Sequence, residues 1–196
     1  MTSMAEGARP WRCFWAVPLP ADLRRGLAEF VAELGALPAV EDAWRFTAAD
    51  SWHLTLAFLG AVEPDTVKPM IQRVVSAVGD RQPFEITTAG LGGFPRGGRA
   101  RVLWYGVDGG DELTDLARDV RAAAGADDEQ PWRAHVTLAR SRDRHGAELP
   151  ASADPPSGVI HVNEVVLFRS HLGAGPARYE ALHRVALGAP VGTLSS

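Results

Sequence analysis

One five-residue pattern occurs twice in this chain and dictates the backbone around it. His53-Leu54-Thr55-Leu56-Ala57 returns as His135-Val136-Thr137-Leu138-Ala139. At this composition roughly 0.01 copies of His-apolar-Thr-Leu arise by chance, so two copies have a probability on the order of 10⁻⁴. Polar and apolar residues alternating with period two read as a β-strand buried on one face. His53, Thr55 and Ala57 then share one face, and Leu54, Leu56 and Phe58 the other. In the second copy His135, Thr137 and Ala139 oppose Val136 and Leu138. Each strand sets an imidazole and a hydroxyl in front of core-forming residues, and the small alanine leaves room for a ligand. Strict alternation turns Arg140 away from His135.

The flanking sequence supplies more strands and three helices. Residues 11–17 are an apolar and aromatic run that reads as a buried strand. Pro20 suits the first turn of a helix whose buried stripe is Leu23, Leu27, Phe30, Val31 and Leu34, with Gly35 at its end. Residues 44–46 and 52–59 read as strands, the second ended by Gly60. Pro64-Asp65 opens a second helix with Val67, Met70, Ile71, Val74, Val75 and Val78 on its apolar side. Residues 84–88 and 101–107 read as strands, and the glycine-rich 90–98 between them as a flexible loop. A third helix follows over 111–125, then a strand over 134–140 and a loop over 143–157. Residues 159–169 and 177–187 form a closing strand pair. The strands mostly alternate, which points to antiparallel sheet with helices packed outside it, an α+β fold. The expected unit is one domain of two similar lobes over residues 11–187, between disordered tails at 1–10 and 188–196.

Composition narrows the function classes. No apolar run approaches the roughly 20 residues of a membrane span, so no membrane association is expected. The single cysteine, Cys13, has no intramolecular partner, and no Cys/His cluster has zinc spacing; a reducing, cytoplasmic setting follows. Net charge is −4, so the chain as a whole does not attract nucleic acid. Its basic residues are arginines apart from Lys68, and two short clusters could meet phosphate: Arg96, Arg99 and Arg101, then Arg140, Arg142 and Arg144.

Two facing His-x-Thr strands would flank a cavity with two imidazoles and two hydroxyls. That set suits in-line displacement at phosphorus. A neutral His deprotonates a water, a protonated His protonates the leaving oxygen, and the Thr hydroxyls donate to non-bridging oxygens. No metal and no other cofactor is needed, and no carboxylate cluster suited to Mg²⁺ is evident. The other histidines, His145, His161, His171 and His183, lack a matched partner and read as structural or surface residues.

At these motifs the chain resembles the 2H phosphoesterase superfamily, and within it the bacterial and archaeal RNA 2′,3′-cyclic phosphodiesterases, also described as 2′-5′ RNA ligases. The resemblance runs from about Arg12 to Leu187. It rests on Arg12-Cys13-Phe14-Trp15-Ala16-Val17-Pro18-Leu19-Pro20, on the stretches from Trp52 to Gly60 and from Trp132 to Arg140, and on Ala177-Arg178-Tyr179-Glu180-Ala181-Leu182. Family members often have Asp where Pro18 stands and Pro where Ala134 stands; neither difference removes a reacting group. The resemblance implies two pseudo-symmetric lobes, each an antiparallel sheet with outer helices, around a central cleft. It implies hydrolysis of a 2′,3′-cyclic phosphate to a 2′-phosphomonoester, with His53 the proton donor, His135 the proton acceptor, and Thr55 and Thr137 holding the phosphate. The partner would be an RNA end or a nucleotide carrying the cyclic phosphate, and the protein a monomer. Alternatives are a 2′-5′-linked or other small cyclic nucleotide as substrate, or a non-catalytic RNA-end binder. Phe14, Trp15, Trp52 and Trp132 are the aromatic candidates for stacking on a base.

Overall fold

The computed structural model describes residues 9–126, 131–150, 154–171, 173 and 177–188; of the expected tails, 1–8 and 189–196 lie outside the described residues. The chain runs β1 (Trp11–Pro18), α1 (Ala21–Gly35), α2 (Pro38–Ala43), β2 (Trp44–Phe46), a 3₁₀ turn (Ala49–Ser51) and β3 (His53–Val62). It continues with α3 (Pro64–Val78), β4 (Phe84–Phe94), β5 (Val102–Asp108), α4 (Gly110–Ala124), β6 (His135–Ser141), β7 (Val159–Val162), β8 (Glu164–His171) and β9 (Arg178–Ala186). Helices and an antiparallel sheet share one chain, the expected α+β class.

Eight strands lie in the order β7-β4-β5-β6-β3-β1-β8-β9, and β2 pairs with β6. The two motif strands, β3 and β6, are neighbours at the middle of this order. They are joined by a single register pair, Leu54 with Val136. On either side the pairing is far more extensive, from β3 to β1 and from β6 to β5. The sheet therefore falls into two halves that meet on the motif strands, and the cleft opens along that seam.

The apolar sides of the motif strands hold the seam together. Leu54, Leu56, Val136 and Leu138 are fully buried in one cluster with Trp15, Leu113, Leu116 and Val120. Helices α3 and α4 pack on each other, and α4 packs on β3. A smaller cluster of Leu34, Val40, Trp44, Leu103 and Ala139 ties α1, α2 and β2 to the far half of β6.

Four expectations change. The stretch taken as a loop over 90–98 is strand as far as Phe94, because a register shift between Thr88 and Leu91 absorbs the glycines and the chain then pairs with β5. Gly92 is required there: a Cβ would collide with the Trp104 ring, which lies across the strand. Gly60, at φ +65°, bends β3 without ending it, and the strand runs on to Val62. The single strand expected over 159–169 breaks at Asn163. Its first half, β7, pairs with β4 and its second, β8, with β1 and β9, at opposite ends of the sheet. Finally, Pro38 starts the short helix α2, for which no helical period was visible.

Candidate active site

Both motif strands carry a bulge at the same place. On β3, Thr55 pairs with Ala16 and Ala57 with Trp15, so Leu56 has no partner. On β6, Thr137 pairs with Trp104 and Ala139 with Leu103, so Leu138 has none. An unpaired residue inverts the alternation beyond it. Ala57 and Ala139 therefore point into the core at 1% and 0% exposure, not beside the histidines as strict alternation requires. Phe58 and Arg140 take the cleft face instead. Phe58 is 50% exposed. The residue that alternation set aside, Arg140, is thus a member of the site.

The cleft consists of two adjoining cavities. One, of about 790 Å³, is lined by His53, Thr55, Thr137, Arg45, Arg140 and Tyr179 among others. The second, of about 910 Å³, is lined by His135, Phe94, Trp132, Arg101 and Arg133 among others. Thr55, Phe58 and Arg140 border both cavities. All four residues expected from the repeat therefore converge on one cleft. Among the described residues neither the Thr55 nor the Thr137 hydroxyl has a protein partner, so both are free to donate to a ligand.

The two imidazoles are held in the same way. His53 Nδ1 lies 2.7 Å from the Ser51 carbonyl oxygen, and His135 Nδ1 lies 2.8 Å from that of Arg133, in each case two residues back. A carbonyl only accepts, so Nδ1 carries the proton and donates it, and Nε2 is the atom left to exchange protons with a ligand. His53 also stacks on Phe14 at 4.5 Å and meets the edge of Tyr179 at 5.2 Å. His135 meets Phe94 edge-on at 5.0 Å.

These apolar rings strip water from the imidazoles and disfavour their charged forms. Burial first, and then the charge of His135, lower the His53 pKa to about 4 against the opposing Ser51 hydrogen bond. Burial likewise lowers that of His135, with Arg140 adding to the effect. Both rings are therefore neutral near pH 7. Burial raises the Tyr179 phenol, and the neighbouring Arg140 charge opposes that rise.

Hydrogen bonds tie each motif strand to the other. The Thr47 hydroxyl donates to the Leu138 carbonyl at 3.0 Å and accepts from the Trp52 indole at 2.9 Å, which links the β6 bulge to the residue before His53. The Trp132 indole, three residues before His135, donates to the Thr55 carbonyl at 3.0 Å.

Of the proposed stacking residues, Trp15 and Trp52 are core, at 0% and 4% exposure. Phe14 and Trp132 do line the cavities, and Phe58 joins them. The arginine clusters also divide. Arg99 bonds the Gly146 carbonyl and Arg142 the Glu41 carbonyl, so both pin loops, whereas Arg101 and Arg140 face the cleft. Among the described residues no group of three or more His, Cys, Asp or Glu side chains is placed to hold a metal ion. His161 and His171 pair with Glu85 and Glu180 on the surface.

Residues 32–174 match the family model described as the 2′-5′ RNA ligase superfamily. The chain belongs to that superfamily. It is 33% identical over 189 residues to an Escherichia coli protein named RNA 2′,3′-cyclic phosphodiesterase, a match covering 92% of this chain and 98% of the relative. A Geobacillus stearothermophilus protein of the same name is 31% identical over 188 residues; the match covers 91% of this chain but 58% of that longer relative. Among solved structures, E. coli LigT complexed with 3′-AMP superposes with a TM-score of 0.77 at 30% identity, over 92% of this chain and 99% of LigT.

Proposed function

We propose that the cleft hydrolyses a 2′,3′-cyclic phosphate at the end of an RNA, leaving a 2′-phosphomonoester and a free 3′-hydroxyl. The observation that carries this reading is the duplicated geometry: two imidazoles oriented alike through Nδ1, two unengaged threonine hydroxyls, and Arg140 between the cavities. His135 Nε2 takes a proton from water as its oxygen attacks phosphorus. The P–O3′ bond opposite breaks, and His53 Nε2–H supplies the proton that O3′ needs. Thr55, Thr137 and Arg140 donate to the non-bridging oxygens as charge builds on them. The protein alone keeps His53 neutral near pH 7, so it is the substrate's own negative charge that raises its pKa and charges it when it is needed. The names of the E. coli and G. stearothermophilus relatives support the same substrate class.

The second cavity favours one further reading. Water needs about 30 Å³, whereas the His135 side offers about 910 Å³ with Phe94 and Trp132 in its walls. That space suits a nucleoside, so a 2′-5′-linked diester spanning both cavities is the alternative substrate. A reducing, cytoplasmic setting fits the one buried, unpaired cysteine.

The test is incubation with a nucleoside 2′,3′-cyclic phosphate in EDTA, with the product identified by NMR. The 2′-monoester is expected, and His53→Ala and His135→Ala are expected to lower turnover by 10²–10⁴-fold each. Undiminished turnover in the double variant would defeat the reading, and binding without turnover in the intact protein would make it an RNA-end binder.

A further inference from the structure

Five arginines line the two cavities: Arg12, Arg45 and Arg140 the first, and Arg101, Arg133 and again Arg140 the second. Among the described residues no aspartate or glutamate lines either one. Elsewhere some arginines find carboxylates, as Arg81 does with Asp119, Arg118 with Asp115 and Arg184 with Glu164. Among the described residues none of the five cleft arginines is paired in this way. In a chain of net charge −4, the described walls of the cleft are thus positive.

One juxtaposition is unfavourable unless an anion is present. Arg45 of β2 stands directly across from Arg140 of β6 in the register, and both side chains line the His53 cavity. Like charges directly opposite on paired strands repel each other. The backbone offers no escape, because Trp44 and Ala139 on either side are buried and hold this register. The pair becomes favourable once negative charge lies along it.

Arg140 borders the two threonines and serves the reacting phosphate. Arg45 lies one strand further out, about 4.8 Å away across the ladder. In-line opening places the terminal nucleoside on the side of the leaving oxygen, which is the His53 cavity. The 5′-phosphate of that nucleoside enters the same cavity. We infer that Arg45 forms a second phosphate subsite, next to Arg140, that binds the 5′-phosphate of the terminal nucleotide. The preferred substrate is then a cyclic phosphate on a nucleotide that carries a 5′-phosphate, as every RNA end longer than one nucleotide does. This rests on the cyclic phosphodiesterase reading above.

Three substrates test it: cytidine 2′,3′-cyclic phosphate with a free 5′-hydroxyl, the same compound with a 5′-phosphate, and a dinucleotide ending in the cyclic phosphate. The intact protein should favour the second and third over the first by about 10-fold or more in kcat/KM, the scale of a charge-assisted hydrogen bond. Arg45→Gln should bring that ratio close to one, and Arg45→Lys should retain part of it. The salt dependence of kcat/KM for the 5′-phosphorylated substrate should weaken in Arg45→Gln by about 0.7 in log–log slope, one phosphate contact. Arg45 is exposed and among the described residues has no partner to lose, and its removal relieves the repulsion from Arg140, so a melting temperature no lower than that of the intact protein checks the fold. Equal use of the first two substrates by the intact protein would overturn the subsite, as would a preference that survives Arg45→Gln. A gain seen with the dinucleotide but not with the 5′-phosphate alone would also overturn it, since the second nucleoside would then be what is read. Failure to hydrolyse any of the three would defeat the parent reading instead.

Discussion

Acid should weaken this fold through His53. Unfolded, the ring titrates near the ordinary 6.5; folded, burial against Phe14 and Tyr179 brings it to about 4. A base whose pKa is lowered by folding binds more protons in the unfolded chain across that interval, so stability rises with pH there and is lost on acidification. Between pH 7 and pH 4.5 the two values give a loss of about 2.5 kcal/mol from this one group. That is a substantial part of the stability of a domain this size. His135 is displaced in the same direction and adds to the loss. The measurement is urea unfolding of the intact protein and of His53→Asn at several pH values, with the His53 ring titrated by NMR. Asn does not titrate, so the variant should lose about 2.5 kcal/mol less than the intact protein over that interval. Inorganic phosphate in the cleft should raise the His53 pKa and recover part of the loss. If both proteins lose equal stability, or the ring titrates near 6.5 without phosphate, the account of the buried imidazole is wrong. A kinetic consequence follows: kcat/KM reports the free enzyme, so its optimum should fall below pH 6.5, while the kcat optimum should lie higher because bound substrate raises His53.

Other consequences are more local. Arg140→Gln should cut kcat/KM on the order of 100-fold by removing a donor to the developing charge, and it should move the His135 pKa upward, since the Arg140 charge now lowers it. Thr47→Val leaves the Trp52 indole without its acceptor and should cost about 1–3 kcal/mol in chemical unfolding, with loss of activity because β2, β6 and the entry to His53 are no longer tied. Gly92→Ala drives a Cβ into the Trp104 ring that sits beside Phe94 and should destabilise by about 1–3 kcal/mol, read as a lowered melting temperature.

The duplicated His-x-Thr was legible because period-two alternation is a local property, and all four residues reach the cleft. The bulges were hidden for the opposite reason. Leu56 and Leu138 look like ordinary core residues, and only pairing with β1 and β5 reveals that each lacks a partner. One sign was nevertheless present. Unbroken alternation would have put Arg140 on the same side as Val136 and Leu138, both at 0% exposure, and an unpaired guanidinium is not tolerated there. The same reading buries Phe58 and exposes Ala57, as transfer free energies favour, so the first copy gives no such sign. That conflict disappears if one residue is inserted after Thr137, and the first copy carries the same insertion after Thr55. A charge that misfits a simple period is therefore itself a signal. Here the two insertions bring to the cleft Phe58, the aromatic that borders both cavities, and Arg140, the cation beside both threonines. Long-range pairing left no comparable sign: the approach of Arg45 to Arg140 spans β2 and β6, and nothing within residues 44–46 marks one arginine as the neighbour of another ninety-five positions away.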